Sequence, residues 1–86
     1  MKFQGTVLKE QGITFAIVIV KQSAIQSQMA FQSAANVYQK CFPGMPLVLM
    51  AQDNRGRPTY RGRNDIVNFL ANINPSRIPW KEYTYS

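Results

Sequence analysis

Two short segments of this chain are apolar on both faces of an extended strand, and that property constrains the fold more than any other. In Ile13–Lys21, the side chains of Ile13, Phe15, Ile17 and Ile19 fall on one face and those of Ala16, Val18 and Val20 on the other. In Leu47–Ala51 every residue is apolar. Strands of this kind belong at the centre of a sheet covered on both sides. The longest apolar run, Phe15–Val20, has six residues, far short of the roughly 20 that a membrane-spanning helix requires.

The surrounding residues supply the rest of the fold. Phe3–Lys9 alternates imperfectly and predicts a first strand, joined to the second through a turn at Glu10-Gln11-Gly12. A helix is predicted over Ser23–Cys41, with Ser23 as its N-cap and Ala24, Phe31, Ala35, Tyr38 and Phe42 on its apolar face. Pro43-Gly44 ends it. Asp53-Asn54-Arg55-Gly56 reads as a turn, and Pro58–Arg61 as an edge strand returning from it. Asn64 is expected to cap a second helix that runs from Asp65 to about Ile73 and stops at Asn74-Pro75. The aromatic tail, Ile78–Tyr85, predicts a last strand.

The order is β-β-α-β-β-α-β, an α/β chain on the α+β boundary, with a mixed central sheet and two helices. The second and third strands flank a helix, so they should run parallel. Residues 1–86 form a single domain, since 86 residues of which 45% are apolar suffice for one modest core. No secretory signal is evident, and the lone Cys41 suits a reducing, cytoplasmic setting.

From Phe15 to Ile73 the order β-α-β-β-α resembles the thioredoxin-like fold. Met45-Pro46 stands where that family places a cis-proline, and Thr59-Tyr60-Arg61-Gly62 with the following Phe69-Leu70 looks like its final hairpin and helix. The resemblance implies a redox motif where the second strand meets the helix. Lys21-Gln22-Ser23-Ala24-Ile25 stands there instead, without cysteine. What the resemblance implies is therefore a scaffold of that fold without its chemistry.

The side chains point away from catalysis. There is no histidine, so the commonest general base and transition-metal ligand is missing. Glu10, Asp53, Asp65 and Glu82 are scattered through turns, a helix start and the tail, with no two at motif spacing. No glycine-rich phosphate loop occurs. Cys41, beside Lys40, sits at the end of an apolar helix face and reads as a core residue rather than a reactive thiol. No cofactor is expected.

Two surfaces remain. Arg55, Arg57, Arg61 and Arg63 crowd one hairpin of a chain with ten Lys and Arg against four Asp and Glu, a net charge of +6. If residues 57–63 are extended, Arg57, Arg61 and Arg63 share a face, with Tyr60 opposite. Such guanidinium groups suit nucleic acid or phosphate, with Trp80, Tyr83 and Tyr85 as stacking partners if the tail folds back beside them. The same arrangement also fits a solvated edge strand guarded by charge. The second surface is the first helix, which carries no charged residue from Gln22 to Gln39. Its polar positions include Gln22, Gln26 and Gln32, and Ile25 and Met29 lie among them. A charge-free surface with apolar anchors fits a protein interface, above all in a homodimer. It equally fits a helix packed under the C-terminal tail.

Overall fold

In the computed structural model, which describes residues 2–84, seven regular elements follow the predicted order: β1 (Lys2–Glu10), β2 (Ile13–Ile19), α1 (Gln28–Gln39), β3 (Leu47–Gln52), β4 (Pro58–Arg61), α2 (Asn64–Leu70) and β5 (Lys81–Thr84). The strands form one mixed sheet of order β4-β3-β2-β1-β5. The doubly apolar strands β2 and β3 lie near its centre and pair in parallel, Ala16 with Leu47 and Ile19 with Met50. The flanking pairs β1–β2, β3–β4 and β1–β5 are antiparallel.

The two faces of β2 and β3 carry two separate clusters, because successive side chains alternate across the sheet. Ala16, Val18, Leu47, Leu49 and Ala51 pack with Phe3 and Phe42, and Phe31, Ala34, Ala35 and Tyr38 of α1 cover them. Phe15, Ile17, Val48 and Met50 pack with Ile66 and Leu70 of α2 and with Ile78. The helices thus cover opposite faces. Phe3 organises the first cluster: it stacks on Tyr83 of β5 at 5.3 Å and meets Tyr38 of α1 edge-on at 5.0 Å.

Local chemistry accounts for the joints. Gln11 and Gly12 both have positive φ, 53° and 79°, which is the backbone of the tight turn that matches strand twist. Gly5 is fixed by crowding: a Cβ there would stand 2.6 Å from the carbonyl oxygen of Ile17.

Several predicted boundaries differ. The first helix does not begin at Ser23. Residues Gln22–Ala24 form a 3-10 turn, and α1 starts after Ser27, whose side chain accepts a hydrogen bond from the N–H of Ala30 at 3.1 Å. Both serines carry a capping oxygen, but only at Ser27 does the apolar stripe that follows continue without a break. The second helix starts at Asn64 rather than being capped by it, and closes at Leu70. In the tail, Pro75–Arg77 turns in 3-10 form under the Asn74 side chain, Ile78 is buried, and the strand begins only at Lys81. Tyr85 lies outside the described residues. All described peptide bonds are trans, Met45–Pro46 included.

Candidate functional site

The arginine-rich hairpin is built by Asp53. Its carboxylate accepts the backbone N–H of Arg55 and of Arg57, each at 2.9 Å, and Gly56 takes the positive φ of 78° that closes the loop. This geometry leaves the side chains of Arg55 and Arg57 exposed, and neither makes a hydrogen bond or ion pair among the described residues.

The other two guanidinium groups are occupied from within. Arg61 pairs with Leu49 across the β3–β4 ladder, which turns its side chain to the α1 side of the sheet. There it donates to the carbonyl of Ile25 at 2.7 Å and to Oε1 of Gln28 at 2.7 Å, and lies 5.1 Å from the centre of the Phe31 ring. Arg63 donates to both carboxylate oxygens of Asp65, at 2.8 and 2.9 Å. That pairing holds the Asp65 carboxyl below its ordinary range. The expected row of outward arginines is therefore two loop arginines plus two structural ones.

Tyr60 faces the α2 side and packs against Ile66 and Leu70's cluster. Its hydroxyl is buried without a hydrogen-bond partner, and burial pushes its pKa up. Tyr83 sits in β5, at the sheet edge opposite β4. Trp80 does come near the hairpin: it shares a shallow depression with Gln52, Gly56 and Pro58, and its indole N–H donates to the carbonyl of Pro75 at 3.1 Å.

The helix surface is rearranged at one end and open along the rest. Ile25, expected beside Met29 as a surface anchor, is only 6% exposed and belongs to the core. The break between the 3-10 turn and α1 rotates it inward, where a continuous helix would have left it out. Met29 is 80% exposed. Gln22, Gln26 and Gln32 are exposed as well, and Gln32 bonds its neighbour Asn36 one turn on. Gln39 is turned away to brace the following loop, donating to the carbonyls of Phe42 and Met45. Among the described residues the tail does not cover the outer face of α1, because β5 joins the sheet at the edge of β1.

Met29 was expected, but two further exposed apolar residues, Val37 and Val7, were missed in the sequence. Exposed large apolar side chains among the described residues are Met29, Val37 and Val7, and all three lie on the α1 side, Val7 opposite Ala16 across the β1–β2 ladder. Cys41 is half-buried and packs on the core under α1. Among the described residues no group of three or more His, Cys, Asp or Glu is placed to hold a metal ion, and no helix is long and apolar enough to cross a membrane. No protein family, curated protein or solved structure matches the chain.

Proposed function

We propose that this chain is a non-catalytic interaction module that self-associates through the outer face of α1. The observation that carries the reading is an uncharged helix with a methionine 80% exposed, on a protein of net charge +6. Two copies of so basic a molecule repel each other over most of their surface. A face without charge is where they can meet without setting like charges together. Glutamine, asparagine and serine side chains carry donors and acceptors together, so the face is complementary to itself, which lysine or arginine surfaces are not. A reducing cytoplasmic compartment would keep Cys41 a thiol.

The contact is small. α1 has 12 residues, about 18 Å at 1.5 Å per residue, and one helix face is less than a standard protein interface. The expected dimer is weak, forming over about 10 μM to 1 mM, as transient interfaces do. Sedimentation equilibrium across that range tests it. A reversible monomer–dimer equilibrium that Met29→Lys weakens at least tenfold is expected; a monomer throughout refutes the reading.

A second reading keeps the hairpin. Arg55 and Arg57 project from a loop held by the Asp53 carboxylate, whose Gly56 lines a depression with Trp80, which suits nucleic acid or another phosphate ligand. Retardation of single-stranded RNA or DNA at low salt, lost on Arg55→Ala with Arg57→Ala and falling steeply with salt, supports it; no retardation excludes it.

A further inference from the structure

The exposed apolar residues of α1 are placed symmetrically. Met29 and Val37, 80% and 42% exposed, stand four residues either side of Ser33, which is also exposed. Residues four apart are neighbours on a helix, so Met29, Ser33 and Val37 form one stripe with the smallest side chain in the middle. We infer that two copies pair by packing α1 antiparallel on α1, about a twofold axis at Ser33. This rests on the self-association reading above and gives it a geometry.

In that arrangement Met29 of one copy meets Val37 of the other, twice, and Ser33 faces itself at the crossing. A small residue there lets the helices come close. The alternative, a parallel pair, sets Met29 on Met29 and brings the two Lys40 side chains together at one end. The antiparallel pair sends the two Lys40 side chains, each at the C-terminal end of α1, to opposite ends of the contact, each toward the N-terminal end of the other copy's helix at Ser27. It separates the two lysines by about 21 Å along the helices at 1.5 Å per residue. It also sets each positive helix end beside a negative one. A twofold interface must be built from one self-complementary patch, and this stripe meets that condition in both shape and charge.

Disulfide trapping tests the geometry. Packed helices run about 8–10 Å apart and Cα atoms sit about 2.3 Å from each axis, so facing residues have Cα atoms roughly 3.5–5.5 Å apart. That overlaps the range of about 4.4–6.8 Å a disulfide spans. In a Cys41→Ser background, the Ser33→Cys protein should form a covalent dimer under mild oxidation. A mixture of Met29→Cys and Val37→Cys proteins should cross-link to each other at least tenfold faster than Met29→Cys links to itself, because the two Met29 positions lie about 12 Å apart along the helices. All three positions are exposed, and unchanged circular dichroism confirms the fold. Rapid Met29→Cys self-linking shows a parallel pair and overturns the inference. A dimer in sedimentation that none of these pairs traps overturns the geometry and leaves self-association standing. A monomer in sedimentation sinks both.

Discussion

Removing the Arg61 side chain separates a structural arginine from a ligand-binding one. Arg61→Ala deletes two hydrogen bonds of 2.7 Å, to the Ile25 carbonyl and the Gln28 side chain, and the guanidinium lying 5.1 Å from the Phe31 ring centre. Hydrogen bonds to a charged group contribute about 1.5–3 kcal/mol when well shielded. Arg61 is only half-buried, so solvent competes and the pair together is better placed near ~1.5 kcal/mol. The ring contact adds about 0.5–1 kcal/mol. The sum, about 2 kcal/mol, corresponds to a fall in Tm of roughly 8–16 °C for a domain of this size. Arg57→Ala, an exposed side chain on the adjoining loop, should stay within about 0.5 kcal/mol. Arg61→Lys keeps the charge but loses the planar fork, and should recover less than half of the loss. Urea unfolding of the three variants, followed by circular dichroism, measures all of this. Equal stabilities for Arg61→Ala and Arg57→Ala would refute the assignment and return Arg61 to the exposed, ligand-facing group.

Other consequences are as direct. Ser27→Ala should cost about 1 kcal/mol through the lost N-cap, whereas Ser23→Ala should cost less than about 0.5 kcal/mol; urea midpoints in the reverse order would place the helix start at Ser23. Tyr60→Phe removes a buried hydroxyl that has no partner, so stability should hold or rise, and a loss above about 1 kcal/mol would reveal a hydrogen bond to that group. The Asp65 carboxyl should titrate below its ordinary value of 3.8 by NMR and move back toward it on Arg63→Gln. Because the folded value is the lower one, the pair's contribution is present above the ordinary value and is lost as pH falls through the folded one. Titration at or above the ordinary value, or no response to Arg63→Gln, would contradict the Arg63–Asp65 bridge.

What could be read from the sequence was whatever depends on near neighbours. The two faces of β2 follow from period-two alternation over Ile13–Ile19, and both clusters of the core fall where that alternation puts them. The parallel β2–β3 pair follows from the helix between them. The helix start was harder to read, because Ser23 and Ser27 offer the same capping chemistry; the break in the apolar stripe at Ser27-Gln28 is the local signal that separates them, and the later start goes with burial of Ile25 against the sheet. The division of the arginines was hidden for another reason. Arg61 reaches groups 33 and 36 residues away, and no local pattern encodes such a partner. Arg63 and Asp65 are two residues apart, so local spacing does contain their pairing, although strand alternation alone puts Arg63 in the outward row. The open outer face of α1 depended on where the tail went, and only the β1–β5 register decides that.

Self-association through α1 is tested most directly by sedimentation equilibrium of the unmodified protein beside Met29→Lys. The wild-type chain should show a concentration-dependent monomer–dimer equilibrium between about 10 μM and 1 mM, the range expected of a small transient interface. Met29→Lys, which replaces the exposed anchor with a like charge, should stay folded and associate at least tenfold more weakly across the same range. A wild-type monomer at the highest concentration, or a dimer that Met29→Lys leaves intact, would contradict it.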